Sequence, residues 1–105
     1  MNKWDAYLQR LALDTELVQY KALLQSWTML NSYIPYLSYP LAGRQDDGSV
    51  YWTWKFEAHG STFSLEVHKN GKLEWFFRGE DGLIFGSDYP ISKIPPKALN
   101  LLKEL

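Results

Sequence analysis

The chain has 105 residues, the size of one compact domain with a single core and too short for two. Its 46% apolar and 22% charged residues are those of an ordinary globular protein and argue against a disordered or membrane-spanning chain. With 11 basic and 12 acidic side chains the net charge is −1, so no field over the whole surface draws a polyanion. Cysteine is absent, which excludes disulfides, thiolate zinc sites and thiol nucleophiles. That composition, with a start Met1-Asn2-Lys3-Trp4 that lacks an apolar signal stretch, points to a cytoplasmic protein.

Residues 3–32 carry leucines and aromatics at helical spacing without a glycine or proline. Two stripes conflict within them. Trp4, Tyr7, Leu8 and Leu11 define one face, whereas Leu13, Leu17, Tyr20, Leu24 and Trp27 define another, about 180° away at roughly 100° per residue. A break near Asp14, with Asp14 as N-cap and Thr15 and Glu16 in the first turn, predicts a short helix, a kink or tight turn, and a longer helix. One continuous helix with two buried faces is the alternative.

From 33 to 48 the pattern changes to a tyrosine- and proline-rich connector. Pro35 and Pro40 disfavour helix at the residues before them, and Asp46-Asp47-Gly48 is a polar turn cluster. Tyr33, Tyr36 and Tyr39 stand three apart, the spacing that lines one side of a polyproline-like segment. Packing along the domain edge is one reading of them, and a tyrosine contact surface is the other.

Residues 50–87 alternate apolar and polar with glycine turns between, which predicts a four-stranded antiparallel meander. One face carries Trp52, Trp54, Phe56, Phe63, Leu65, Val67, Leu73, Trp75 and Phe77. Burying each such side chain is worth about 1.5 to 3 kcal/mol, so helices must cover that face. A two-residue His59-Gly60 loop pairs Phe56 with Phe63, Trp54 with Leu65 and Trp52 with Val67. A three-residue Lys69-Asn70-Gly71 loop, with Gly71 in a bulge, sets Leu65 against Trp75. The same design at Glu80-Asp81-Gly82 pairs Phe77 with Phe85 and sends Ile84 to the opposite face. Pro96 or Lys97 then opens a final helix over 96–105 that carries Leu99, Leu101, Leu102 and Leu105. The expected class is α+β: a helix pair or kinked helix, the meander and a short C-terminal helix, the helices packed on one aromatic sheet face.

The other sheet face presents Tyr51, Thr53, Lys55, Ser64, Glu66, His68, Lys72, Glu74, Phe76, Arg78 and Ile84. Glu66 falls opposite Glu74, and two carboxylates held that close can split their pKa values into an acid and a base. Lys55, Lys72 and Arg78 are near enough to neutralise them, so a solvated charged face is the simpler reading and no catalytic residue is assigned. His59 and His68 are expected toward opposite ends of their strand pair, poorly placed for one ion, and no metal is assigned. Ser61, Thr62 and Ser64 offer only a superficial nucleophile set beside them. The glycines at 79, 82 and 86 match no phosphate-binding spacing, and no cofactor is expected.

Parity puts Trp52, Trp54 and Trp75 in the core, which weakens a base-stacking platform for single-stranded nucleic acid and leaves it as an alternative. Surplus apolar surface carries more weight: Phe76 and Ile84 on the sheet, Trp4, Tyr7 and Leu11 on the helix, and the connector tyrosines. Interface cores are rich in aromatics and arginine. The expected function is therefore a non-enzymatic protein-binding module contacting a protein partner, or a second copy of itself, through Phe76, Ile84, Tyr51, Arg78, Lys55, Tyr36 and Tyr39. A small hydrolase using the paired glutamates is a third reading.

Overall fold

The structure is a computed structural model that describes residues 2–79, 82–87 and 93–104. Helices α1 (Lys3–Asp14) and α2 (Leu17–Tyr33) come first. Strands β1 (Leu41–Arg44), β2 (Val50–Phe56), β3 (Ser61–Val67), β4 (Leu73–Gly79) and β5 (Gly82–Ser87) follow, then helix α3 (Pro96–Lys103). The strands form one antiparallel sheet in sequential order, so the domain is α+β as the pattern predicts, with five strands rather than four. The added strand is β1, inside the stretch expected to be a connector; it pairs Ala42 with Trp52 and Gly43 with Tyr51. Among the described residues no helix is long and apolar enough to cross a membrane.

The helical segment breaks where the two stripes conflict, but Asp14 does not open the second helix. It is the last residue of α1, and Thr15 stops that helix in an extended conformation, its hydroxyl and its N–H both donating to the Leu11 carbonyl at 2.6 and 3.0 Å. Asn2 caps the other end, accepting from the Asp5 N–H at 2.8 Å. The buried line of α2 is Gln19, Leu23, Ser26 and Leu30, one position round from the leucine stripe, and Leu13 and Leu17 are exposed. Ser26 is accommodated because its hydroxyl donates to the Ala22 carbonyl at 2.7 Å. Gln19 is buried for a different reason: its amide nitrogen donates to the carbonyls of Gly48 at 3.0 Å and Val67 at 2.9 Å, clasping the helix to the sheet.

All nine predicted core residues of the sheet are buried, covered by α1, α2, α3, Ile34 and Leu37. Trp4 centres an aromatic cluster, its ring 5.0 Å from Tyr7, 4.9 Å from Trp27, 5.4 Å from Tyr39 and 5.3 Å from Trp52. Trp4 and Leu11 are therefore core, and Tyr7 is packed against it, rather than surplus contact surface. The Trp52 indole donates to the Tyr7 hydroxyl at 3.2 Å. Burial pushes the Tyr7 phenol above its ordinary pKa, against the opposing effects of that bond and the Arg44 charge.

Register separates the three expected loops. At 69–71 it is as expected: Leu65 opposes Trp75, and Gly71, at φ +86°, donates to the His68 carbonyl at 2.9 Å. The first hairpin shifts by two residues, with Trp52 opposite Leu65 and Trp54 opposite Phe63. The one-turn 3-10 segment Glu57–His59 and Gly60 replace the two-residue loop. In the last hairpin Gly79 pairs with Gly82 and Phe77 with Ile84, so the three-residue loop is not formed; Glu80 and Asp81 lie outside the described residues. The repeated turn design is instead at Asp46-Asp47-Gly48, where Gln45 pairs with Ser49 and Gly48, again at φ +86°, donates to the Gln45 carbonyl at 2.9 Å.

The connector tyrosines do not line one side of a polyproline segment. Tyr33 ends α2, and Tyr36 sits in a turn at φ +67°, the one described residue other than glycine in the left-handed region.

Candidate functional site

The face of the sheet away from the helices is crossed by three rows of paired residues. Lys55, Thr62, Arg78 and Leu83 form one row, and Thr53, Ser64 and Phe76 form the middle one. Tyr51, Glu66 and Glu74 form the third. Rows two residues apart along a strand are about 6.7 Å apart, so a basic end and an acidic end stand about 13 Å from each other across a neutral, hydroxyl-bearing strip. Thr53 and Ser64 hydroxyls are bonded at 2.9 Å in the floor of that strip.

A groove of about 340 Å³ runs over this face, with Tyr51, Thr53, Ser64, Glu66, Phe76 and Arg78 in its lining. Tyr51 is fixed there by a cross-strand glycine. A Cβ at Gly43 would overlap the Cζ and hydroxyl of Tyr51, so the ring lies across β1 only because the opposite position is bare. Phe76 is half-buried in the middle row, and Arg78 and Lys55 are exposed at the basic end.

Of the residues predicted from sequence, the structure thus brings Tyr51, Phe76 and Arg78 together and places Lys55 in their basic row. Ile84 leaves the set: its register position is opposite Phe77 of the core row, because the last connection is one residue shorter than expected, and Phe85 takes the position opposite Phe76. Tyr36 and Tyr39 belong to the helical side. Tyr39 stacks on Trp4 and its hydroxyl accepts from Asn2 at 2.8 Å, whereas Tyr36 is 97% exposed beside a hollow lined by Trp4, Trp27 and Asn31. They do not join the groove.

Glu66 and Glu74 are directly opposite, as predicted, and His68 stands at their end of the sheet. His59 is at the other end, 3.2 Å from Glu104. The two histidines thus stand at opposite ends, as the sequence predicts, but sequence reasoning overlooks Asp47 and Ser49, which the turn between β1 and β2 carries alongside His68; the Asp-Asp-Gly turn signal was the available clue. Comparison with protein-family models, curated proteins and solved structures finds no match to this chain.

Proposed function

We propose that this chain is a small non-enzymatic protein-binding module, a regulator, inhibitor or accessory protein, that takes its partner on the outer face of the sheet. The observation that carries this reading is a groove that gathers Tyr51, Phe76 and Arg78 on a face that no described helix covers. Tyrosine and arginine are the residue types that dominate binding energy when desolvated by a partner. The occupant that suits the face is an extended segment of another protein, with an acidic group toward Lys55 and Arg78 and a basic group toward Glu66 and Glu74. The acidic row opposes a nucleic-acid strand, whose backbone needs an unbroken basic track. The cysteine-free composition supports a cytoplasmic setting.

The test is capture of partners from native lysate by the tagged protein, with and without nuclease, compared with Tyr51→Ala and Arg78→Glu. A stoichiometric, nuclease-resistant protein retained by wild type and lost from both variants is the expected result. Retention by both variants, or recovery of nucleic acid alone, overturns the reading.

A further inference from the structure

The twin turns bring a second constellation together at the acidic end of the sheet. Asp47 Oδ1 accepts from the Ser49 N–H at 2.9 Å and from its hydroxyl at 2.6 Å, and Ser49 Oγ lies 3.0 Å from His68 Nδ1. Glu66 Oε1 stands 3.9 Å from the same nitrogen, while Glu74 Oε2 stands 3.5 Å from Nε2 on the far edge of the ring. Three carboxylates thus surround one imidazole. Among the described residues no lysine or arginine reaches within 4.0 Å of any of them.

The Asp47 and Ser49 bonds by themselves account for a capped turn. They do not account for Glu66, whose side chain is only 14% exposed and whose one basic neighbour within 4.0 Å among the described residues is His68. A carboxylate so far withdrawn from water calls for a cation. Nor do they account for Glu74. The one Ser49 hydroxyl hydrogen goes to Asp47, so the Ser49 oxygen accepts from His68 Nδ1–H; with a metal in place of that ring hydrogen, the remaining one sits on Nε2, facing Glu74, the usual second-layer arrangement around a metal-bound histidine.

We propose that His68 Nδ1, Asp47 and Glu66 bind a divalent transition-metal ion of the zinc class, with Glu74 holding the imidazole from its other side. The three donor atoms lie within 4.8 Å of one another. Donors around tetrahedral zinc, at about 2.0 to 2.2 Å from the metal, are about 3.4 Å apart, so closure requires side-chain adjustments of about 1 Å. Asp47, exposed on its turn, supplies most of that adjustment. Two carboxylates balance the 2+ charge, and the imidazole nitrogen selects zinc over magnesium or calcium, which take six or more oxygen donors. The metal takes the place of the Nδ1 hydrogen that the Ser49 oxygen accepts, while the Ser49 hydroxyl keeps its bond to Asp47 and orients it.

The test uses the full chain, stripped with chelator and titrated calorimetrically with zinc and separately with magnesium. The expected result is one zinc ion per chain, a raised melting temperature with zinc, and no response to magnesium. Glu66→Gln and His68→Gln each weaken zinc at least tenfold, and Glu74→Gln weakens it about 10- to 100-fold with an unchanged metal-free melting temperature. His59→Gln leaves binding unchanged. If His68→Gln fails to fold, the isosteric Glu66→Gln decides, read also by the visible spectrum of bound cobalt. Absence of stoichiometric binding below about 1 mM zinc, or wild-type affinity in Glu66→Gln, overturns the proposal.

Discussion

The two faces of the sheet use one device to opposite ends. On the helical face Trp75 lies over Gly86 of the edge strand β5, where a Cβ would come 2.6 Å from the indole, and the ring is sealed beneath the helices. On the outer face Tyr51 lies over Gly43 of the other edge strand β1, and the ring stays half-open in a groove. An aromatic ring laid on a cross-strand glycine serves stability where it is covered and presentation where it is not. The same residue types therefore carry different costs on the two faces.

The largest effect belongs to the covered face. Phe63, fully buried at the centre of the sheet, should cost about 3 to 5 kcal/mol when changed to Ala, measured by denaturant unfolding. A loss below about 1 kcal/mol would mean that the helices do not cover that face. Next comes Gln19→Leu, which keeps the volume but strips a donor from two carbonyls and should cost about 2 kcal/mol. A neutral result would break the claim that the amide clasps α2 to the sheet.

The glycines sharpen the comparison. Gly86→Ala forces Trp75 out of a packed layer and should cost about 1 to 3 kcal/mol, whereas Gly43→Ala displaces Tyr51 toward solvent and should cost less than about 1 kcal/mol while weakening partner capture. Equal destabilisation would erase the distinction between the faces. The smallest effect is acid-limb behaviour at the turn. The Ser49 hydroxyl and N–H hold the Asp47 carboxyl below the usual carboxylate range, with His68 adding to the shift. A folded value below the unfolded one stabilises fully above about pH 4 and is lost as pH falls through the lowered folded value. Asp47→Asn should flatten that portion of the stability profile below about pH 4 and leave the high-pH portion, where Tyr7 titrates, unchanged.

Legibility in the sequence followed how local the cause was. The core rows of β2, β3 and β4 were readable because a period of two survives any two-residue slip in pairing, which is why the first hairpin could shift while Trp52, Trp54 and Phe63 stayed on the same face. The Ile84 position was lost because one residue of loop length reverses parity, and nothing local distinguished a two- from a three-residue connection there. β1 was hidden because Leu41-Ala42-Gly43-Arg44 has no alternation; it is a strand because the Asp46-Asp47-Gly48 turn folds it onto β2. Gln19 and Ser26 were invisible as buried residues because a polar side chain enters a helix's core line only when its hydrogen bonds are met. Those partners lie as far off as Gly48 and Val67 for Gln19. The groove was legible in Tyr51, Phe76 and Arg78, and Asp47 was missing from the chemistry because it arrived with the unseen strand.

The most direct test of the division between faces is one paired measurement on a Tyr51→Ala, Arg78→Glu double variant: its unfolding midpoint, and its capture of nuclease-resistant protein from native lysate beside wild type. The account predicts a midpoint close to wild type and loss of the captured partner. A partner retained at wild-type stoichiometry by the folded variant would contradict it.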